Sequence, residues 1–372
     1  MKIAIEAQRI FRTNKHGMDF VALESIRQLQ KLDTENEYYI LIGSGEDKCL
    51  SPTSNFKIIQ FDAPGGYPVW EQILLPRELS KIKPDILHCT SNTAPLYVSS
   101  KLVVTLHDII FLEDQQSENK STYQNLGRYY RRMVVPRILP KCKKIITVSE
   151  FECNRIRQAL HLAEDKIIAI YNGVNDYFQP IEHPQSVTRN YIAEDEYIFF
   201  LGNTDPKKNT LRTLQAYANY VKRADKPLPL LVADLKPDII NAYLKEGNIE
   251  WVLPYIHASG YIVNKDLPAI YSGAKIFLYT SLRESFGIPI LEAMKCGTPV
   301  ITSNTSAIPE IAGEGAVLVD PMNVEAIADA LFKLDTDEAY YKLQIAYGVA
   351  RAQLFSWENT ARKLLDLYKS LM

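Results

Sequence analysis

Residues 280–300 read TSLRESFGIPILEAMKCGTPV, and this stretch decides the fold of the second half of the chain. Apolar runs precede it at residues 275–279 and overlap its end at residues 299–303, and both runs are typical of buried strands. Pro289 suits the first turn of a helix, and Gly297 suits the position just past a helix end. The stretch therefore predicts a strand, a loop, a helix and a second strand, which form a βαβ element of a parallel sheet.

Strand-like runs alternate with helical patterns along the whole chain, which predicts an α/β protein with parallel sheets. Residues 179–196 are polar, contain Pro180 and Pro184 and lack periodicity, which is typical of a linker. We therefore expect two doubly wound, Rossmann-like domains that face each other across a cleft, formed by residues 1–178 and 197–355.

The composition excludes several classes of protein. A length of 372 residues suggests two domains at about 150 residues each. The formal net charge of -2 gives no general attraction to nucleic acid. Five cysteines, odd in number and without a CxxC pair, predict a reducing, cytoplasmic compartment. No apolar run reaches the ~18 residues that span a bilayer, and the N-terminus is typical of a first strand and not of a signal peptide.

Two carboxylates carry the candidate chemistry of residues 280–300. Glu284 falls in the loop after the first strand, and Glu292 falls on the helix. The backbone N–H groups of Phe286, Gly287 and Ile288 would open the helix and favour an anion, and a glycine there lets a ligand approach closely. A nucleotide sugar fits this arrangement, with its diphosphate on the helix start, one Glu on the sugar and one on the ribose. The spacing alone equally allows a solvated loop residue and an ordinary helix carboxylate.

A second candidate site follows the strand at residues 197–201. The sequence GNTDPKKN, residues 202–209, places a glycine turn and two lysines before a helix, which predicts a phosphate site. Lys208 would then stabilise the charge of a departing diphosphate in the transition state. The alternative is that Lys207 and Lys208 are exposed loop lysines, as most lysines are.

The first half offers fewer signals. Residues 12–18 follow the first strand without a GxGxxG pattern, which argues against an NAD-dependent enzyme. His107 follows the strand at 103–106, so it lies at the ligand-binding edge of a parallel sheet, or is satisfied there by neighbouring backbone. Residues 128–144 combine seven basic residues with apolar ones. Such a helix would rest on an anionic membrane surface or present an ordinary solvated face.

Residues 284–300, ESFGIPILEAMKCGTPV, resemble the E-x7-E signature of the retaining glycosyltransferases of family four, which have the GT-B fold. The flanking segments SGYIVNKDLPAIYSGAKIFLYTSLRESFG and SNTSAIPEIAGEGAVLVDP are similar to the same family. The resemblance implies that residues 356–372 form a helix that returns to the N-terminal domain.

The resemblance also implies roles for the catalytic candidates. Glu284 would hold the sugar hydroxyls, and Glu292 would hold the ribose. Lys208 matches the lysine of the family's phosphate loop and would hold the diphosphate together with the helix-start amides. His107 matches a histidine that contacts the transferred sugar or the acceptor.

Three further positions are weaker candidates. Asn203 stands where many family members carry an arginine. Tyr261 lies in a segment similar to the family's base-binding segment. Gly17 stands alone where the family has a glycine-rich loop.

The function that the resemblance implies is retaining transfer of a hexose from a nucleotide-diphosphate sugar, with GDP-mannose as the expected donor and no metal or cofactor. The acceptor would be a glycan or lipid-linked molecule of cell-surface polysaccharide synthesis, selected by loops at 64–71 and 111–125. We expect an enzyme of the cytoplasm, with contact at the inner face of the membrane as a hypothesis. The alternatives are a nucleotide-sugar 2-epimerase of the same fold and a non-catalytic partner subunit that binds sugar nucleotides.

Overall fold

The computed structural model describes residues 1–13, 15–112 and 122–372, with the backbone alone for residues 122–125. The chain divides into two compact units. The first unit comprises Met1–Gly173 and Trp357–Met372, and the second comprises Val174–Ser356. Residues 179–196, predicted as a linker, belong to the second unit and include a short helix. The predicted acceptor loop at 111–125 lies partly outside the described residues.

The strands are β1 (Lys2–Glu6), β2 (Glu37–Ile42), β3 (Phe56–Gln60), β4 (Ile86–Cys89), β5 (Lys101–Thr105), β6 (Lys144–Thr147), β7 (Ile167–Ala169), β8 (Tyr197–Leu201), β9 (Leu230–Ala233), β10 (Ile256–Gly260), β11 (Ala274–Tyr279), β12 (Val300–Ser303) and β13 (Val317–Val319).

The helices are α1 (Gly17–Leu32), α2 (Gly66–Val69), α3 (Leu75–Ile82), α4 (Thr122–Ile138), α5 (Glu150–Leu160), α6 (Gln185–Thr188), α7 (Thr210–Arg223), α8 (Pro237–Glu246), α9 (Leu267–Gly273), α10 (Ile288–Lys295), α11 (Ile308–Ala312), α12 (Val324–Thr336), α13 (Glu338–Ala352) and α14 (Trp357–Ser370).

The first unit is built on a parallel sheet of seven strands in the order β3-β2-β1-β4-β5-β6-β7. Its central strands are mostly apolar and buried because helices cover both faces of the sheet. The last helix, α14, packs in this unit against α1, where Leu364 and Tyr368 share one buried cluster with Leu23 and Ile26.

The second unit is built on a parallel sheet of six strands in the order β10-β9-β8-β11-β12-β13. Its core fills one face with side chains such as Phe200, Leu214, Tyr217 and Leu331. The two doubly wound, Rossmann-like sheets confirm the predicted fold class.

Each sheet reverses its winding once. In the first sheet the order reverses between β1 and β4, and in the second it reverses between β8 and β11. Ligands of doubly wound sheets bind outside the carboxyl ends of the strands at such a reversal. Each unit therefore has one topologically favoured binding edge.

The sequence predicts one helix over the basic segment at 128–144, and this prediction is wrong. Helix α4 ends at Ile138, a 3-10 turn follows at Leu139–Lys141, and Lys144 already belongs to β6. Pro140 contributes to this end because it has no backbone N–H to continue an α-helix. Among the described helices, none is long and apolar enough to span a membrane.

Candidate functional site

The βαβ element predicted from residues 280–300 is formed by β11, α10 and β12. Gly287 precedes the helix with φ at 103°, a left-handed backbone conformation that favours glycine. Gly297 follows the helix with φ at 81°. The two glycines therefore set where α10 begins and ends, and the loop before it carries Glu284.

Lys208, Glu284 and Tyr279 form a closed cluster at the binding edge of the second sheet. The Nζ of Lys208 donates to Oε1 of Glu284 at 2.5 Å and to the hydroxyl of Tyr279 at 2.7 Å. The Tyr279 hydroxyl donates to the same Oε1 at 2.8 Å. Burial opposes the charge on Lys208, but Tyr279 and Glu284 raise its pKa above the ordinary range, so the ammonium is charged at neutral pH.

The loops that carry this cluster are tied together. The Leu282 amide donates to the Lys207 carbonyl at 2.7 Å, which joins the loop after β11 to the loop after β8. The buried Asn209 donates from Nδ2 to the carbonyls of Thr280 at 3.1 Å and Pro321 at 2.7 Å. Because β8 and β11 are neighbours at the reversal of the sheet, Lys208 and Glu284 meet although they are 76 residues apart in sequence.

The two lysines of the GNTDPKKN loop have different environments. Lys207 lies 3.6 Å from Asp205 in an ion pair, and its side chain is 38% exposed. The side chain of Lys208 is 19% exposed and points to Glu284. The alternative of two exposed loop lysines therefore holds for Lys207 and not for Lys208.

Glu292 lies outside this hydrogen-bonded cluster. Its Oε2 accepts a hydrogen bond from the Tyr271 hydroxyl at 3.2 Å. Burial raises the pKa of Glu292 to about 7, although the hydrogen bond from Tyr271 lowers it. A column of aromatic rings connects the two carboxylates, since Tyr271 meets Phe277 edge-on at 5.1 Å and Phe277 stacks on Tyr279 at 5.5 Å.

The other predicted residues of the second unit are more dispersed. Phe286 is buried and meets the ring of Phe355 edge-on at 5.9 Å, so its side chain is structural. Ile288 is the first residue of α10. Asn203 accepts the Asp205 amide at 2.8 Å and shapes its own turn. Tyr261 follows β10 and is exposed.

Two predicted residues lie in the first unit. His107 follows β5 and is buried, with Nε2 3.0 Å from the Thr90 carbonyl and its backbone N–H donating to Asn92 at 2.7 Å. Burial lowers the pKa of His107, so the ring is neutral at pH 7 and Nε2 donates to the carbonyl. Gly17 is the exposed first residue of α1.

The sequence analysis missed Tyr279 and Asn209. Tyr279 ends an apolar strand, and nothing in that pattern separates it from a core aromatic residue. Asn209 precedes a helix and looks like an N-cap, but its φ is 59° and its side chain reaches two other loops. Among the described residues, no group of three His, Cys, Asp or Glu side chains is placed to hold a metal ion.

Two doubly wound parallel sheets with a cationic loop and a carboxylate loop at one reversal are features of GT-B glycosyltransferases. Residues 17–177 match Glycosyltransferase Family 4, and residues 188–351 match Glycosyl transferases group 1. The chain belongs to the glycosyltransferases that these two family models describe, which confirms the family that the sequence resembles, while the E-x7-E signature stays a prediction.

Similar proteins include two mannosyltransferases of Escherichia coli. The O-antigen chain mannosyltransferase B is 30% identical over 277 residues, which cover 73% of this chain and 71% of that protein. The serotype-specific mannosyltransferase WbdA is 27% identical over 314 residues, which cover 79% of this chain and 38% of that protein.

Solved structures share the fold. Sucrose-phosphate synthase from Thermosynechococcus elongatus has a TM-score of 0.78 at 21% identity, with 100% of this chain and 99% of that chain covered. Anabaena HepE in complex with UDP-glucose has a TM-score of 0.73 at 16% identity, with 100% of both chains covered.

Proposed function

We propose that this glycosyltransferase transfers mannose from GDP-mannose to a glycan or lipid-linked acceptor of cell-surface polysaccharide synthesis, with retention of the anomeric configuration. The observation that carries the proposal is the cluster of Lys208, Glu284 and Tyr279 at the reversal of the second sheet. It combines a charged ammonium for a diphosphate with a carboxylate for sugar hydroxyls.

The ammonium of Lys208 stabilises the leaving group. When the bond between the anomeric carbon and the phosphate oxygen breaks, negative charge collects on the diphosphate. A cation that is already fixed and mostly shielded from water stabilises that charge without reorganising. Glu284 neutralises Lys208 while the site is free of donor, and it accepts hydrogen bonds from the sugar once the diphosphate has taken its place beside the lysine.

The start of α10 adds a second positive end. The helix dipole and the amides of Gly287 and Ile288 favour the diphosphate, so Lys208 and the helix meet its charge without a metal or cofactor. Glu292, on the same helix, accepts the ribose hydroxyls. Because its pKa is about 7, the carboxylate form of Glu292, in which both oxygens only accept hydrogen bonds, is gained as the pH rises through neutrality.

Retention follows from attack on the side of the leaving group. A bond forms between the acceptor oxygen and the anomeric carbon, the bond from that carbon to the diphosphate breaks, and a diphosphate oxygen takes the acceptor proton. This scheme needs no pair of protein acid and base groups. His107, neutral and held by the Thr90 carbonyl, is assigned to contact with the transferred sugar or the acceptor.

Similar proteins support the donor assignment. Two similar chains are mannosyltransferases, which supports mannose, and one similar structure holds UDP-glucose, which supports a nucleotide-diphosphate sugar. An O-antigen chain is a cell-surface polysaccharide, which supports an acceptor of that class.

Helix α4 supports contact with a membrane that would carry a lipid-linked acceptor. Leu126, Tyr129 and Met133 are exposed on it, and Arg137 is exposed one turn further on. Apolar and basic side chains on one helix favour an anionic bilayer surface, which supports contact of the enzyme with the cytoplasmic face of the membrane. Sedimentation with anionic and neutral vesicles tests this, and absence of the protein from the anionic pellet contradicts it.

The test of the reaction is product analysis by NMR after incubation with GDP-mannose and an acceptor glycan. We expect an α-mannoside, because GDP-mannose is an α-linked donor, and a β-mannoside would contradict retention. The 2-epimerase alternative predicts free sugar and nucleotide without any acceptor. The partner-subunit alternative predicts that Glu284→Gln leaves the activity of a complex unchanged.

A further inference from the structure

The first unit contains a pocket that the donor site does not use. It lies at the carboxyl edge of the first sheet, beside the reversal between β1 and β4, and has a volume of about 230 Å³. Arg9 and Arg12 reach it from the segment after β1, Thr93 from the segment after β4, and Arg131 from α4. Its position in the first unit corresponds to that of the Lys208 cluster in the second.

The pocket is cationic. Among the described residues that line it, three are arginines and none is a carboxylate. The positive charge of Arg9 is partly balanced, because its Nε lies 3.7 Å from Asp19 and its guanidinium lies 5.8 Å from the centre of the Tyr67 ring. Burial lowers the pKa of Arg131, and the charge of Arg9 lowers it further, while Asp108 opposes this. An anion between the arginines would relieve their repulsion.

Two of these guanidinium groups also offer hydrogen-bond donors. The Nε atoms of Arg9 and Arg131 are buried and have no hydrogen-bond partner within the described part of the chain. Buried donors without partners are unfavourable, so an acceptor oxygen in the pocket would be stabilised there. The planar guanidinium matches the geometry of phosphate oxygens.

The walls of the pocket are held rigidly by one buried carboxylate. Glu71, fully buried on the π-helical turn Trp70–Leu74, accepts hydrogen bonds from the hydroxyls of Tyr67 at 2.8 Å, of Tyr130 and of Thr93. Its oxygens are therefore taken up by the wall residues themselves. The rings of Tyr67 and Tyr130 remain as apolar surfaces beside the arginines of the pocket.

We propose that this pocket binds a phosphate or diphosphate group of the acceptor, with the tyrosine rings against the neighbouring sugar or lipid. The role in acceptor binding rests on the proposed function, whereas binding of the anion does not. A lipid-linked diphosphate and a free sugar phosphate share this chemistry, and the experiment separates them.

The binding experiment uses inorganic pyrophosphate and the Lys208→Ala protein, in which the proposed donor site is impaired. We expect calorimetry to detect pyrophosphate binding, and Arg131→Gln in that background to weaken it at least about tenfold, as expected for a lost charge-assisted hydrogen bond. Arg137→Gln is the matched control, because Arg137 lies on the same helix and donates to the Met133 carbonyl. Equal binding by the Arg131 and Arg137 variants would overturn the proposal.

Arg12→Gln provides a second variant if the buried substitution unfolds the chain. Arg12 is exposed at the pocket, so its replacement leaves the core intact and should still weaken the binding of pyrophosphate. Unchanged binding by a folded Arg12 variant would count against the site.

Transfer kinetics distinguish the two sources and the two proposals. Arg131→Gln should raise the KM for the acceptor and leave the KM for the donor unchanged. If the KM rises for both a lipid-linked diphosphate acceptor and a soluble sugar phosphate acceptor, the pocket recognises the phosphate itself. If the KM rises for the lipid-linked acceptor alone, the pocket binds the lipid-linked form. If the Arg131→Gln protein transfers mannose with an unaltered KM for the acceptor, the role of the pocket is refuted but the proposed function is not. If the protein binds pyrophosphate but transfers no sugar, the proposed function is refuted but the anion site is not.

Discussion

Replacing Glu292 with Gln should stabilise the protein and weaken donor binding at the same time. The pKa of Glu292 is raised by burial from 4.5 to about 7. Between these values the folded chain holds a proton that the unfolded chain has released. The free energy of unfolding therefore falls as the pH rises from 4.5 to about 7, and the loss is complete above pH 7.

The size of the effect follows from this interval. From 4.5 to about 7, at about 1.4 kcal/mol per pH unit, the loss is roughly 3 kcal/mol. Glu292 keeps part of its surface exposed to solvent, which screens its charge. We therefore expect the loss in the free energy of unfolding to be about 2 kcal/mol. Glu292→Gln keeps the shape and removes the charge, so the variant should be more stable than wild type by that amount at pH 8 and equal to it at pH 4.

Urea unfolding of both proteins at pH 4, 6 and 8 measures the difference. Glu246→Gln, on the exposed surface of α8, is the control and should show no comparable gain. The KM for GDP-mannose at pH 8 should rise about tenfold in Glu292→Gln, as for one charge-assisted hydrogen bond. Equal stability at every pH would refute the raised pKa, and a gain in stability with unchanged KM would refute contact with the donor.

Three other substitutions test the second unit. Tyr279→Phe removes the hydroxyl between Lys208 and Glu284 and should lower kcat about tenfold with the fold intact; an unaltered kcat would speak against the cluster. Gly287→Ala puts a side chain on a residue with a left-handed backbone conformation. It should lower the free energy of unfolding in urea by about 1–2 kcal/mol and weaken the binding of GDP-mannose, and equal stability would contradict this. Asn209→Ala leaves two buried carbonyls without their donor and should cost about 1–3 kcal/mol, a loss that thermal unfolding would reveal or disprove.

Local features of the sequence were enough to predict the βαβ element. Pro289 and Gly297 act on the backbone around them, so the limits of α10 follow from neighbouring residues. The alternation of strands and helices in the same way predicts parallel sheets, which the structure has.

The partners of the site residues could not be predicted in this way. The contact of Lys208 with Tyr279 joins positions 71 residues apart and depends on the order of strands in the sheet. Glu71 gives no sequence signal of its burial, because a carboxylate in a helical segment usually faces solvent. The cationic pocket likewise joins Arg9 and Arg131 from distant segments, and only the folded chain brings them together.

The central claim is that Lys208 holds the diphosphate of a nucleotide sugar at the reversal of the second sheet. Calorimetric titration of GDP-mannose into wild type, Lys208→Ala and Lys207→Ala tests it most directly, because the two lysines are adjacent and only Lys208 reaches Glu284. We predict that Lys208→Ala weakens binding at least about tenfold and that Lys207→Ala binds like wild type. Equal affinities of wild type and Lys208→Ala, or no binding of GDP-mannose by wild type, would contradict the account.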